Sequence, residues 1–187
     1  MSDADLLLRP WQVHDLPQLH EIYQNQPDLA RQFPPIASIT DLQDWLVKYA
    51  RCDASNAVMA LEVDGELAGC VAVMGKCENL NGWVFYWAAE HARGKGFTTA
   101  AVTALCNWAL TDGGWYRLEL GYRTNNPASG QVAERAGFIV EGTEREKFLI
   151  DGERIDVTIA ARLASDPTPQ PRTPVRLQGT EISGESE

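Results

Sequence analysis

Trp83-Val84-Phe85-Tyr86-Trp87-Ala88-Ala89-Glu90-His91-Ala92-Arg93-Gly94-Lys95-Gly96-Phe97-Thr98-Thr99-Ala100-Ala101 decides how the rest of the chain is read. The continuous apolar run Trp83–Trp87 predicts a central strand covered on both faces. Arg93-Gly94-Lys95-Gly96 then opens a long helix burying Phe97, Ala101, Leu105 and Trp108 and ending near Asp112-Gly113-Gly114. The first amides of a helix lack intrahelical partners, and the helix dipole adds about half a positive charge there. Glycines let backbone approach a phosphate with no Cβ in the way, and Arg93 and Lys95 add two cations, so the stretch reads as an anion site. A P-loop needs glycine at position 89 and Ser or Thr at 96; Ala89 and Gly96 stand there instead. The dinucleotide fingerprint fails at its third glycine, which is Thr99.

Outward from this centre, Asp5–Arg9 predicts a first strand ended by Pro10, and Val13, Leu16, Leu19 and Tyr23 a helix. Thr40 with Gln43 predicts a capping box for a second helix carrying Leu42, Trp45, Leu46 and Tyr49. Ala57–Val63 and Leu67–Met74 flank Asp64-Gly65, a hairpin signal. Tyr116–Tyr122 predicts another strand. Asn126 as cap, Pro127 at the first helical position and Gly137 past the end predict a short helix. Phe138–Ile150 and Arg154–Leu163 predict closing strands joined at Asp151-Gly152. The order β-α-α-β-β-β-α-β-α-β-β is an α/β class, or α+β by another convention.

The chain has 187 residues, 44% apolar and 22% charged, which suits one domain of residues 1–164 and a tail. From Ser165 to Glu187, Pro, Gly, Ser and Glu dominate, predicting a disordered or extended tail. The net charge is −10, of which the tail carries −2. That disfavours nucleic acid and favours a cationic acceptor such as an amine. No apolar run is long enough for a membrane span, and the acidic start lacks a signal peptide's basic region. Four scattered cysteines read as reduced thiols packing mostly as small apolar groups. A cytoplasmic protein is the expectation, monomer or homodimer. His14, His20 and His91 show no ligand spacing, so no metal is expected.

Several segments in register carry a family resemblance. Glu90–Val102 resembles the acetyl-CoA loop of the GNAT N-acetyltransferase superfamily, in its RimJ/RimL-type branch, with His91 where Gln or Arg is commoner. Asn126-Pro127-Ala128-Ser129, Glu134-Arg135-Ala136-Gly137-Phe138, Glu141-Gly142, Arg145, Asp151–Asp156 and the start Leu6–Trp11 are similar to the same branch, so the resemblance covers roughly residues 5–163. It implies the GNAT fold: a mixed, mostly antiparallel twisted sheet of about seven strands with about four helices and a V-shaped splay between the central strands. It also implies acetyl transfer from acetyl-CoA to a primary amine, a protein N-terminus or a small molecule, by direct attack in a ternary complex.

The chemistry needs a neutral amine, a stabilised carbonyl oxygen and a protonated leaving thiolate. The resemblance implies a backbone amide for the oxygen around Tyr86, Trp87 and Ala88, and coenzyme contacts at Arg93, Gly94, Lys95, Gly96, Phe97, Thr98, Asn126 and Ser129. Many members protonate the thiolate with a tyrosine four residues before the Gly-Phe pair; here that residue is Ala133. The branch has a serine one turn earlier, matched by Ser129, with Asn126 beside it. Both residues also serve simply as helix-capping types. Glu119 is the leading base, with Glu90, His91 and Glu141 behind it. A non-catalytic acyl-CoA-binding module of the same fold is the alternative, and a nucleotide enzyme a third reading.

Overall fold

The computed structural model describes residues 4–31, 33 and 35–180. The strands are β1 (Leu6–Pro10), β2 (Cys52–Asp53), β3 (Asn56–Val63), β4 (Glu66–Met74), β5 (Asn81–Ala88), β6 (Arg117–Arg123), β7 (Ile139–Ile150), β8 (Glu153–Leu163) and β9 (Val175–Leu177). The α-helices are α1 (Leu16–Asn25), α2 (Ile39–Tyr49), α3 (Phe97–Leu110) and α4 (Pro127–Arg135). One sheet runs β7-β8-β6-β5-β4-β3-β1-β9, with β2 beside β3. The β5–β6 and β1–β9 pairs are parallel and the rest antiparallel.

Strand alternation sends residues to two cores. On β4, Val71 and Val73 pack with α3, whereas Cys70 and Ala72 pack with α1 and α2. Both faces of β4 are thus covered, which explains its unbroken apolar run. The expectation of a fully covered β5 fails at Trp83, which is 40% exposed. Trp83 falls outside the core beneath α1 and α2, which takes Phe85 and Trp87 from the same strand. The cysteines divide evenly: Cys70 and Cys106 are buried, Cys52 and Cys77 exposed.

Both hairpin signals form as read. Asp64 (φ 53°) and Gly65 (φ 85°), and Asp151 (φ 51°) and Gly152 (φ 86°), take the paired left-handed conformation that suits a tight hairpin. The cap of α2 is a correction. Ser38, not Thr40, is the N-cap, and Asp41 closes the box by accepting the Ala37 and Ser38 amides at 2.8 Å. A charged carboxylate is the stronger acceptor, so Ser38/Asp41 prevails over Thr40/Gln43.

The tail is a second correction. Residues 165–180 are not a free extension: β9 lies along β1, with Leu6 opposite Val175 and Leu8 opposite Leu177. The Gln178 amide donates to the Leu8 carbonyl at 2.9 Å, and Asn107 Nδ2 to the Pro169 carbonyl at 2.9 Å. Val175 and Leu177 pack on the α3-side core. Composition flagged the prolines, but three residues supply the unused β1 edge with hydrogen bonds and apolar cover. The rest of the expected tail, 181–187, lies outside the described residues.

Candidate active site

Gly94 (φ 74°) and Gly96 (φ 82°) are both left-handed, and Gly96 is the N-cap of α3 with no side-chain cap bond. The first helical bond runs from the Ala100 amide to the Gly96 carbonyl at 3.0 Å. The amides of Gly94 through Thr99 have no protein partner among the described residues. A Cβ built on Gly94 or Gly96 would meet nothing within 4 Å. The start of α3 is therefore bare and positive, fit for a phosphate. Beside it lies a cavity of about 450 Å³ lined by His91, Lys95, Phe97, Asp64 and Glu66. Lys95 is exposed, Thr98 half-buried, and the Phe97 side chain sits in the core, leaving Phe97 only its amide for a ligand.

Of the two cations read at this loop, Arg93 has protein partners of its own. Its Nε donates to the Ala88 carbonyl at 2.9 Å, and its Nη2 to Gln26 Oε1 at 3.2 Å and Asp28 Oδ2 at 2.8 Å. Through Nε and Nη2 the guanidinium ties the segment after α1 to the end of β5.

β5 and β6 pair only at Asn81–Arg117, Gly82–Leu118 and Trp83–Glu119, then part. The Ala89 amide bonds the Ala68 carbonyl on the β4 side at 2.8 Å. Counting back by twos, the peptide of Trp87 faces β4, and those of Val84, Tyr86 and Ala88 face the gap toward β6. Tyr86 and Ala88 thus present amides in the splay. Trp87 does not: its peptide faces β4 and its ring is buried with Trp11 and Phe33. Gly69 on β4 permits this approach, since a Cβ there would stand 2.4 Å from the Trp87 carbonyl oxygen.

On α4, Asn126 Oδ1 accepts the Ser129 amide at 3.3 Å, so Asn126 caps the helix as its sequence position predicts. Ser129 Oγ lies 2.7 Å from the Tyr86 hydroxyl, which also donates to the Ser129 carbonyl at 3.0 Å. Burial pushes the Tyr86 phenol up to about 12, with its Ser129 bond opposing the rise. Ala133, in the position of the missing tyrosine, is buried. The Tyr86 hydroxyl is the polar group at the splay that sequence reasoning did not single out. The two-residue period puts Tyr86 on the α3 side with Val84, but nothing local brings it to a residue 43 positions away.

Glu119 lies on the opposite face of β6 from Leu118 and Leu120, which pack with α3. Its carboxylate accepts Arg117 Nε at 2.6 Å, while the two terminal nitrogens of Arg117 bind Glu141 at 2.9 and 2.5 Å. Arg117 is held well above its ordinary value by Glu141 first and then Glu119, and it draws Glu141 below the usual carboxylate range. Ser129 and Glu119 thus sit on opposite faces of the sheet, with the splay between them. Glu90 and His91 are exposed beside the glycine loop, away from this cluster.

A strand-splayed sheet with a bare helix start at its opening defines a class. Residues 5–139 match the acetyltransferase (GNAT) domain, and the chain belongs to the GNAT acetyltransferase family, on its RimJ/RimL-like side. It is an acetyl-CoA-dependent acyltransferase by class. Among particular relatives, it is similar to YdaF of Bacillus subtilis (30% identical over 160 residues, 81% of this chain and 85% of the relative). It is also similar to the ribosomal-protein-serine acetyltransferase of Escherichia coli (32% over 102 residues, 54% of this chain and 56% of that protein). A spermidine N-acetyltransferase from Vibrio cholerae, solved with CoA and spermine, shares the fold (TM-score 0.76, 23% identity, 87% of this chain and 97% of that one). No helix among the described residues is long and apolar enough to cross a membrane.

Proposed function

We propose that the protein transfers an acetyl group from acetyl-CoA to the α-amine of a protein N-terminus. The observation that carries the reading is the β5–β6 splay, with unpartnered amides at α3 on one side and Glu119 on the other. The coenzyme diphosphate sits on the amides of Gly94–Thr99, beside Lys95, and its arm runs toward Tyr86 and Ser129. The amine enters from the face of Trp83 and Glu119. The amine attacks in its neutral form, and Glu119, directly or through a water, takes the proton that the nitrogen sheds as the C–N bond forms. The nitrogen attacks the thioester carbon, a Tyr86 or Ala88 amide meets the charge growing on the oxygen, and the C–S bond breaks with its electron pair on sulfur beside Ser129.

The choice of acceptor rests on charge. A polyamine needs several unpaired carboxylates, yet Glu119 and Glu141 are both engaged by Arg117. One amine on an extended chain asks for less negative charge, and the exposed Trp83 offers it an apolar rest. The relatives' names divide between protein and polyamine acceptors.

Thiol release from acetyl-CoA, measured with a peptide bearing a free N-terminal serine, with the same peptide N-blocked, and with spermidine and an aminoglycoside, tests the reading. Release with the free peptide above all others is expected. Coenzyme binding without release on any amine would establish instead an acyl-CoA-binding module.

A further inference from the structure

We propose that Tyr86 is a positioning residue for Ser129, its hydroxyl holding the serine hydroxyl as a donor toward the departing sulfur. The proposal rests on the acetyl-transfer reading above. Tyr86 has one proton and two acceptors within reach, the Ser129 carbonyl at 3.0 Å and Ser129 Oγ at 2.7 Å. When the phenol donates to the carbonyl, the serine proton turns inward to the phenol oxygen. When it donates to Oγ, the serine proton turns outward. The two arrangements differ only in hydrogen positions, so a sulfur gaining charge draws a donor without moving any side chain.

Packing keeps both partners in place. The Tyr86 ring rests on the α3-side core, and the Tyr122 ring lies beneath the next residue of α4, where a Cβ on Gly130 would come within 3.0 Å of it. Asn126 caps the same turn. The donor chain does not ionise. Passing the Tyr86 proton through Ser129 to a thiolate of ordinary basicity is uphill by about three thousandfold, given a phenol pushed up to about 12 and a thiol near 8.5. The pair therefore stabilises the thiolate by hydrogen bonding. The electron pair of the broken C–S bond stays on sulfur, and solvent supplies the proton afterwards.

Tyr86→Phe keeps the ring and removes only the hydroxyl. With wild type, Ser129→Ala and the double variant, kcat, acetyl-CoA Kd and melting temperature are measured. Each single variant is expected to lose about tenfold in kcat with Kd unchanged within about twofold, and the double variant to lose no more than either. With an acetyl thioester of a more acidic thiol, the Tyr86→Phe loss shrinks, which a merely structural role would not produce. Full kcat in Tyr86→Phe, multiplicative losses, or a loss indifferent to the leaving thiol overturns the proposal alone. Absence of turnover in the wild type with every amine overturns the acetyl-transfer reading and this proposal together.

Discussion

Arg93 Nη2 lies 2.8 Å from Asp28 Oδ2, so the first cation of the glycine loop faces the segment after α1. The same guanidinium reaches Gln26 and the carbonyl of Ala88. It therefore couples the segment after α1 to the strand end where the splay opens.

Arg93→Gln should raise the KM of the amine several-fold and leave acetyl-CoA Kd within about twofold. The ion pair is half-exposed, and its loss should cost less than about 1 kcal/mol of stability. Steady-state kinetics with both substrates and calorimetric binding of the coenzyme separate these effects. A large rise in coenzyme Kd would return Arg93 to the phosphate.

Gly96→Glu should weaken acetyl-CoA binding by at least about tenfold, since it sets a carboxylate among amides that favour an anion. Gly96→Asn is the control, because asparagine tolerates the left-handed φ of 82° and adds no charge. Coenzyme titration of both folded variants is the check. Equal affinity in Gly96→Glu would remove the helix start from the coenzyme site.

Glu119→Gln should lower kcat about a hundredfold, within the range for loss of a general base. Glu141→Gln, which removes the outer partner of Arg117, should cost far less. The two variants share the same arginine, so the comparison separates proton abstraction from ion-pair structure. Equal losses would reduce Glu119 to a member of the Arg117 network.

Truncation after Ala164 should lower stability by about 2–3 kcal/mol, from half-buried Val175 and Leu177 and the ladder bonds to β1. Truncation after Thr180, which keeps β9, is the comparison. Denaturant unfolding of both proteins decides. An unaltered midpoint in the shorter protein would make β9 an ornament of the sheet.

Asp41 is held below its ordinary 3.8 by bonds from Ala37 and Ser38. A carboxyl lowered by folding contributes stability that is present above its unfolded value and lost as pH falls through the folded one. Asp41→Asn should therefore flatten the fall in melting temperature as pH drops below about 4 while lowering stability at pH 7. An unchanged acid limb would assign that fall to other carboxylates.

Trp83–Gly96 was legible because its signals are local. A run of apolar residues, then glycines without Cβ, then helix formers, specify strand, turn and bare helix start with no distant partner. Asn126-Pro127 and the Asp-Gly turns were legible for the same reason. Tyr86 was legible only as backbone, since the use of its hydroxyl depends on α4 lying against β5. Glu119 was legible as a residue type on an alternating strand, but its engagement by Arg117 required the side-chain geometry of β6 and β7.

By itself the amino-acid order determined the sequence of elements, the glycine-opened α3 and the capped α4, because capping, turn formation and apolar period are decided within a few residues. The tertiary structure alone decided that Arg93 turns to Asp28, that Tyr86 meets Ser129, and that a proline-rich tail ends as a strand beside β1. These are choices among competing partners, most of them far apart in the chain. Their outcome depends on which groups the packed core leaves unsatisfied and within reach.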